Sequence, residues 1–317
     1  MENLAYLHKE NSQDLLRSLQ ESLSQYLLGK EQIVELALAG FFAGGHVLLE
    51  GAPGSGKTSL AQGMAKLFAG SFRRVQMTSD LLPSDIVGVL RLLPAEKEFQ
   101  FRKGPIFCNI LLADELNRTS PKTQSALFEA MAEGTVTVDG VSYALPDPFF
   151  VVATQNPYEF HGVYPLAESQ LDRFMMQLLL TTPETEDELL IYKNFLKKTA
   201  IKANTFLNST QVLATRREIE NVYIEETVLR YCYELAAATR VHPKLSYGVS
   251  VRAVLQLLSA SRALAFLRQR KFVIPQDVKD LAVAVFAHRL CFPDGEHSTS
   301  ERQEILTEIL QSTPAPK

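Results

Sequence analysis

Apolar residues near the start of the chain recur at every third or fourth position. Leu15, Leu19 and Leu23 follow this spacing, which predicts an amphipathic helix over residues 13–28. A second helix is predicted over residues 30–43. The chain therefore begins with helices, and strands are expected only after them.

Short continuous apolar runs follow, and runs of this kind are typical of strands buried on both faces of a parallel sheet. The runs are residues 46–50, 72–77, 108–113, 149–153 and 174–180. Between them lies a predicted helix over residues 121–133, which Ser120 can cap and Gly134 can end. Strands that alternate with helices indicate an α/β fold with a parallel sheet between helical layers.

Two stretches between these elements have the pattern of β-hairpins. Residues 90–103 carry two apolar arms around a turn at residues 94–97. Residues 135–145 alternate between apolar and polar positions around Asp139-Gly140, a dipeptide favoured in tight hairpin turns. We expect both hairpins to project from the sheet domain.

The pattern changes after Pro183, because every later periodic segment is helical. The predicted helices are residues 184–198, 225–239, 249–269 and 275–288, with a polar connection after the first. Domains contain about 150 residues on average, so a chain of this length is expected to form two. We therefore predict an α/β domain over residues 1–183 and a smaller all-helical domain over residues 184–317.

Composition narrows the class of protein. Hydrophobic residues make up 46% of the 317 residues and charged residues 21%, which predicts a buried core. The formal net charge of −4 argues against general binding to a nucleic-acid backbone. Cys108, Cys232 and Cys291 are far apart, so we expect free thiols and no zinc site. No apolar run approaches the roughly 18 to 20 residues of a membrane span, and we expect a cytoplasmic protein.

A phosphate-binding loop follows the first predicted strand. Residues 51–58 match the pattern GxxxxGK[ST], in which backbone N–H groups surround a phosphate at a helix start. Lys57 would reach the β- and γ-phosphates of a nucleotide, and Thr58 would bind Mg²⁺. A glycine-rich turn without a ligand is the alternative, which the strand before and the helix after disfavour. The residues expected to bind ATP here are Gly51, Pro53, Gly54, Ser55, Gly56, Lys57, Thr58 and Ser59.

Two other strand ends carry polar residues. Asp114 and Glu115 follow the third predicted strand, where two carboxylates need a cation or water to compensate their charge. Asp114 would join the magnesium shell, and Glu115 would activate the attacking water. Asn156, after the next strand, could bind the γ-phosphate or that water. An acidic turn and an Asn-Pro turn are the ordinary alternatives.

Together, these segments resemble the MoxR family of AAA+ ATPases over nearly the whole chain. The similar segments are residues 44–51, 114–118, 121–127, 153–157, 164–174, 248–253, 274–278 and 288–290. One departure is Val251, which stands where the family usually has proline. The resemblance implies a P-loop αβα domain with a helical lid, assembled as a ring, commonly of six subunits.

The resemblance also implies partners. The hairpins at residues 90–103 and 135–145 would be the helix-2 insert and the pre-sensor 1 hairpin, which face the pore or a client in related machines. Solvated edge hairpins are the alternative. The work would be to remodel or mature a client protein, or to insert a cofactor into it. A partner with a von Willebrand factor A (VWA) domain is expected, because such proteins often accompany MoxR ATPases.

Two arginines acquire roles through the resemblance. Arg173 is similar to the arginine finger, which reaches the γ-phosphate held by the neighbouring subunit. A surface ion pair with Asp172 or Glu168 is the alternative. Arg252 resembles the sensor 2 residue, and would contact the phosphate of its own subunit and couple nucleotide state to lid angle.

Two further residues are less specific. Gly29 matches the region that packs on the adenine in this family, and a simple turn between helices explains it equally well. Arg118 acts at the subunit interface or is structural. Neither assignment follows from local sequence pattern.

Other functions use the same parts. A nucleic-acid motor such as a branch-migration helicase should have a basic pore hairpin, whereas residues 135–145 contain Asp139 and no Lys or Arg. A scaffold that binds ATP without hydrolysis is disfavoured by Glu115 and Arg173. A magnesium-chelatase-like subunit would share the ATPase machinery and differ in its client. The favoured function is Mg²⁺-dependent ATP hydrolysis at the subunit interfaces of a ring acting on a protein client.

Overall fold

The computed structural model describes residues 12–93, 98–157, 162–196, 207–293 and 298–316. The strands of these residues are β1 (Val47–Gly51), β2 (Phe72–Gln76), β3 (Gly88–Leu93), β4 (Glu98–Lys103), β5 (Ile110–Asp114), β6 (Thr135–Val138), β7 (Val141–Ala144), β8 (Phe150–Gln155) and β9 (Met176–Leu180). The helices are α1 (Ser12–Ser24), α2 (Glu31–Phe42), α3 (Lys57–Leu67), α4 (Pro83–Val87), α5 (Pro121–Glu133), α6 (Glu168–Leu171), α7 (Thr185–Leu196), α8 (Ser209–Glu220), α9 (Glu226–Arg240), α10 (Val251–Leu267), α11 (Pro275–Phe286) and α12 (Thr299–Ser312).

Five strands form one parallel sheet in the order β2-β5-β8-β1-β9. These are the five strands predicted from apolar runs, with bounds that differ by no more than two residues. Every residue of β1 and β5 is buried, as expected for central strands covered on both faces. The predicted parallel α/β core with a helical region after it is therefore confirmed.

Alternate residues of β1, β5 and β8 enter two different hydrophobic clusters, because side chains alternate across a strand. Leu49 of β1 packs in a cluster with α1, α2 and α3, while Leu48 packs in a second cluster with α4 and α5. The first cluster continues without interruption into the helical region, where it includes Leu257 and Val285. The helical region thus packs against one face of the sheet.

Both predicted hairpins form antiparallel pairs outside the main sheet. β3 pairs with β4, and β6 pairs with β7. The turn predicted at residues 94–97 lies outside the described residues. Asp139 and Gly140 both have positive φ, as a type I′ hairpin turn requires. Stacked rings of Phe101 and Tyr143, with centroids 4.1 Å apart, join the two hairpins.

The helical region contains more helices than the sequence pattern predicted. The connection predicted as polar includes α8, and the chain ends in α12, which was also missed. Both begin at a capping box, formed by Asn208 with Gln211 and by Ser298 with Glu301. Their buried stripes are narrow, so apolar periodicity gave a weak signal, whereas the capping boxes could have revealed both helices. None of the helices in the described ranges combines the length and apolar character needed to cross a bilayer.

Candidate functional site

The phosphate loop connects the end of β1 to the start of α3. Gly56 has φ 96°, and a Cβ at this residue would lie 2.5 Å from Leu27. A Cβ at Gly51 would meet the backbone oxygen of Leu180 at 2.5 Å and Ser55 Oγ at 2.8 Å. Only glycine fits this tight path, which brings the loop backbone to the amino-terminal end of α3.

A cleft opens at this carboxyl edge of the sheet, and we call it the phosphate cleft. Its lining consists of Pro53, Gly54, Ser55, Gly56, Lys57, Thr58, Ser59, Arg74, Gln76, Asp114, Glu115 and Asn156. The structure therefore brings together most of the residues predicted to bind nucleotide, the acidic pair and the terminal amide of β8. Strand order explains this, because β8 lies beside β1 and β5 lies beside β8, and all three parallel strands end at the same end of the sheet.

The cleft has the donors that a phosphate needs. Lys57 Nζ donates to the loop carbonyls of Gly51 and Ala52 at 2.5 and 2.9 Å. Ser55 Oγ is buried without a hydrogen-bond partner in the part of the chain that is described. A Cβ at Gly54 would meet nothing within 4 Å, so the loop faces open space there. These features fit a phosphate group seated on the loop.

Asp114 is held by two neighbours across the sheet. Its Oδ2 accepts from Arg74 Nη2 at 2.6 Å and from Arg74 Nε at 3.1 Å. Its Oδ1 accepts from Thr154 Oγ1 at 2.6 Å. Asp114 and the Thr58 hydroxyl supply hard oxygen donors to one cleft, the ligand chemistry that Mg²⁺ prefers.

Glu115 has an unusual backbone conformation and a fixed carboxylate. Its φ of 58° lies in the left-handed region, which is uncommon for a residue other than glycine. Gln76 Nε2 donates to its Oε2 at 2.6 Å, and Arg118 Nη1 lies 3.3 Å from the same oxygen. The Glu115 N–H donates to Thr154 Oγ1 at 2.8 Å, which links this residue to β8.

Arg74, Gln76 and Thr154 were not predicted as site residues. The first two lie on β2, where residues two apart share a face, and Gln76 pairs in register with Asp114. A pair of polar residues in a predicted strand was the available signal. Those two residues can be assigned to the site only when it is known that β2 lies next to β5.

Beneath the loop, a buried carboxylate connects the sheet to the last helix. Glu50 accepts hydrogen bonds from Thr299 Oγ1 at 2.8 and 2.9 Å and from Gln177 Nε2. Burial raises the pKa of Glu50 above its usual value. The strand that leads into the phosphate loop is thus anchored to α12.

Arg173 lies at the amino-terminal end of the parallel strands, whereas the phosphate loop lies at their carboxyl end. Val47 pairs with Met176 and Gly51 pairs with Leu180, so β9 runs parallel to β1 in full register. Arg173 precedes β9 and the loop follows β1, which separates them along the strands by at least about 13 Å at 3.3 Å per residue. Arg173 is not among the residues that line the phosphate cleft.

Arg252 also lies outside the phosphate cleft. It is at the start of α10, and its Nη1 is 3.8 Å from Asp172 Oδ2. The same Asp172 accepts from Arg289 Nε at 2.7 Å. We call Asp172, Arg173, Arg252 and Arg289 the arginine cluster. This neighbourhood differs from the expectation that Arg252 contacts its own phosphate, because the helical region packs Arg252 beside the segment that precedes β9.

The helix that carries Arg252 starts normally although Val251 replaces the usual proline. Ser250 caps α10 by accepting from the Ala253 N–H at 3.2 Å. Val251 itself is 67% exposed and is not part of the hydrophobic core. The departure from the family pattern therefore leaves the start of this helix intact.

Gly29 lies in the turn between α1 and α2, with φ 71°. A Cβ there would lie 1.9 Å from Asp187 Oδ2, so α7 packs directly on this residue. Gly29 does not line the phosphate cleft, and its contact with an adenine stays a prediction.

Comparisons with known proteins agree with this architecture. Residues 46–176 match the ATPase family associated with various cellular activities (AAA), and residues 237–309 match the AAA lid domain. The uncharacterized protein YeaC of Bacillus subtilis is 42% identical, over 98% of this chain and 97% of its own length. Chaperone MoxR1 of Mycobacterium tuberculosis is 36% identical, over 93% of this chain and 81% of its own length. A crystal structure of a Cytophaga hutchinsonii protein proposed to be an ATPase superposes with a TM-score of 0.85 at 35% identity, over 96% of both chains.

The fold and the cleft define a P-loop ATPase with a helical lid. Similarity to a protein named MoxR1 over most of both chains, together with the paired AAA and lid matches, then shows the family. The chain belongs to the MoxR family of AAA+ ATPases.

Proposed function

We propose that this protein hydrolyses ATP in a Mg²⁺-dependent reaction at the interfaces between subunits of a ring. The observation that carries the proposal is the separation of two groups of residues. The phosphate loop and the acidic pair share one cleft, while Arg173 and Arg252 do not line it, and Arg252 lies 3.8 Å from Asp172, the residue before Arg173. A complete site therefore needs the arginines of a second copy.

Within the cleft, Lys57 and the loop N–H groups would bind the β- and γ-phosphates. On binding, Lys57 would exchange its contacts with two loop carbonyls for phosphate oxygens. Thr58 and Asp114 would hold Mg²⁺, which would screen the phosphate charge when bound. Gly51, Pro53, Gly54, Ser55, Gly56 and Ser59 complete the proposed nucleotide contacts.

Glu115 would act as the general base for the attacking water. Its carboxylate already accepts from Gln76 and pairs with Arg118, so its position is fixed before a nucleotide arrives. Asn156 is buried and lines the same cleft, where its amide could orient the water or bind the γ-phosphate. A preorganised base and amide lower the cost of reaching the transition state.

Arg173 and Arg252 would act on the nucleotide of the neighbouring subunit. The distance along β9 argues against access of Arg173 to its own cleft. Arg252 shares Asp172 with this segment, so we extend the same direction to Arg252. Two guanidinium groups would offset the charge that develops on the γ-phosphate during transfer to water.

The client and any further partner are inferred from the family. A relative that is similar over most of its length is named a chaperone, which supports remodelling or maturation of a protein client by this chain. A hexameric ring and a VWA-domain partner remain part of this proposal. Large apolar side chains on the hairpins, including Phe99 at 69% and Val141 at 52% exposure, would suit contact with a client.

A mixing experiment tests the shared site. Subunits with Arg173→Ala keep an intact phosphate cleft, and subunits with Lys57→Ala keep an intact arginine cluster. Each variant alone should release little phosphate from ATP, and co-assembled mixtures should recover activity because some interfaces combine two intact halves. Mixed rings isolated by two affinity tags that stay inactive would disprove the shared site.

A further inference from the structure

Arg289 is a cation buried almost completely at the junction of the lid and the sheet. It ends the short 3-10 helix Ala287–Arg289 after α11, and its side chain is only 3% exposed. Its Nε donates to Asp172 Oδ1 at 2.7 Å, and Nη2 donates to the Phe174 backbone oxygen at 2.6 Å. Nη1 donates to the Met175 backbone oxygen at 3.3 Å. Three of its acceptors thus belong to the segment on either side of Arg173.

The same guanidinium also contacts the helix that carries Arg252. Nη2 of Arg289 donates to Gln256 Oε1, and Gln256 lies one turn after Arg252 on α10. Arg252 in turn lies 3.8 Å from Asp172. Arg289 therefore touches the segment of one proposed trans-acting arginine and the helix of the other.

We propose that Arg289 is a positioning residue that fixes Arg173 and Arg252 relative to each other, so that both reach the neighbouring subunit's nucleotide together. The inference rests on the proposed action of these two arginines across the subunit interface. It assigns to Arg289 a task in the subunit that donates the arginines, and none in the subunit that holds the nucleotide.

The chemistry of arginine suits this task. Its planar fork makes several hydrogen bonds in fixed directions, whereas a lysine ammonium would act as a single flexible point charge. A buried guanidinium without these acceptors would be costly, so the acceptors and Arg289 hold one another in place. A displacement of about 1 Å in a catalytic group can cost about 10²-fold in rate, which makes the junction a sensitive point.

Another arginine of the lid provides a matched control. Arg268 lies at the end of α10, with its side chain 28% exposed, and pairs with Glu35 at 2.8 Å and Asp280 at 2.7 Å. Like Arg289, it joins the lid to the rest of the chain through charged hydrogen bonds. Among the described residues its side chain donates to Glu35, Asp277 and Asp280, none of which belongs to the arginine cluster or the phosphate cleft.

The test places Arg289→Gln on one side of the shared site at a time. In the first mixture, Lys57→Ala subunits, which donate the arginines, also carry Arg289→Gln and are combined with Arg173→Ala subunits. In the second, the Arg173→Ala subunits carry Arg289→Gln and are combined with Lys57→Ala subunits. Phosphate release from doubly tagged rings is measured across ATP concentrations, with Arg268→Gln in both arrangements as control.

We expect the first mixture to lose about 10²-fold in kcat relative to the parent mixture, with KM for ATP unchanged. The second mixture should recover activity as the parent mixture does. Asp172→Asn should give the same asymmetry, and Arg289→Lys a smaller loss on the donor side. Arg268→Gln should show no difference between the two arrangements.

Equal losses in both mixtures would mean that Arg289 only stabilises the fold, and the inference would be wrong. Full activity in both would also overturn it. If Arg289→Gln subunits do not fold, as judged by circular dichroism, the Asp172→Asn pair of mixtures decides by the same criterion. A parent mixture that shows no recovery would instead refute the shared site, and the role of Arg289 with it.

Discussion

The two ends of the central sheet are built in different ways. At the carboxyl end, the phosphate cleft is assembled mainly from short segments at the ends of strands, and one of them, the phosphate loop, is a contiguous sequence motif. At the other end, the arginine cluster combines segments from the sheet domain and the lid, and Asp172 and Arg289 are 117 residues apart in the chain. The cleft can be recognised from local sequence, whereas the cluster exists only after the lid has packed on the sheet.

The largest contrast between the two ends should appear in nucleotide binding. Lys57→Ala removes a charged hydrogen-bond donor from the phosphates, so we expect ATP affinity to fall about 10- to 100-fold. Arg173→Ala should leave affinity near the wild-type value and lower turnover by about 10³- to 10⁵-fold, the range for arginine fingers. Titration with a fluorescent nucleotide, together with phosphate release, separates the two effects. Loss of binding in Arg173→Ala would place that arginine in its own subunit's cleft.

Within the cleft, the next largest effect should come from the proposed base. Glu115→Gln keeps the size of the side chain and removes its basicity, so turnover should fall about 10²- to 10⁴-fold with ATP affinity retained. Glu133→Gln, at the exposed end of α5, is the matched control. Single-turnover phosphate release measures the chemical step directly. A wild-type rate for Glu115→Gln would exclude this carboxylate as the base.

The sequence predicted the cleft because its residues are placed by strand ends. Residues at or just after the ends of parallel strands lie at the same end of the sheet. Lys57, Asp114, Glu115 and Asn156 could therefore be grouped from the sequence alone. This grouping did not depend on predicting how distant segments pack against each other. The five parallel strands themselves were predicted from their continuous apolar runs.

The remaining contacts depend on packing between distant segments. Gln76 meets Glu115 because β2 lies beside β5, and strand order is not written in either segment. Arg252 was assigned by resemblance to its own subunit's phosphate, but the lid packs it beside Asp172. Helix α8 was missed because only three of its residues, Val212, Thr215 and Ile219, are buried. A weakly amphipathic helix has little periodic signal of its own.

Buried histidines at the arginine end should make stability depend on pH. His46 precedes β1, accepts from the Val151 N–H at 3.1 Å and lies 3.1 Å from the Met131 backbone oxygen. Burial lowers its pKa from 6.5 to about 4. The unfolded chain therefore binds a proton below pH 6.5 that the folded chain excludes, and this contribution to stability is lost as pH falls toward 4. Between about pH 7 and pH 5, protonation of His46 in the unfolded chain should lower the free energy of unfolding by roughly 2 kcal/mol.

Urea unfolding near pH 7 and near pH 5 measures this effect. His46→Gln keeps a donor and an acceptor without a titrating ring, so its loss of stability on acidification should be smaller than that of the wild type by that amount. His242→Gln alters a partly exposed histidine outside the core and is the control variant. His288, whose pKa is also lowered by burial, adds to the dependence in both proteins. Identical pH dependence in His46→Gln and wild type would mean that His46 is not the responsible group.

The smallest expected effect concerns Arg74, an arginine that lines the phosphate cleft and, like Arg289, pairs with an aspartate. Arg74 is half-exposed and its guanidinium holds Asp114 Oδ2, the carboxylate proposed to join the magnesium shell. Because cation and guanidinium would compete for the same oxygen, Arg74→Gln should tighten metal binding. Solvent screens this pair only in part, because the Arg74 side chain is 47% exposed and that of Asp114 is 9% exposed; at roughly 1 kcal/mol the gain should be about five-fold. Mn²⁺ binding followed by electron paramagnetic resonance reports it without turnover, and Arg73→Gln, which removes an exposed neighbour, is the control. Weaker metal binding in Arg74→Gln would show that the guanidinium orients Asp114 for the metal and does not compete with it, which would make this arginine a positioning residue like Arg289.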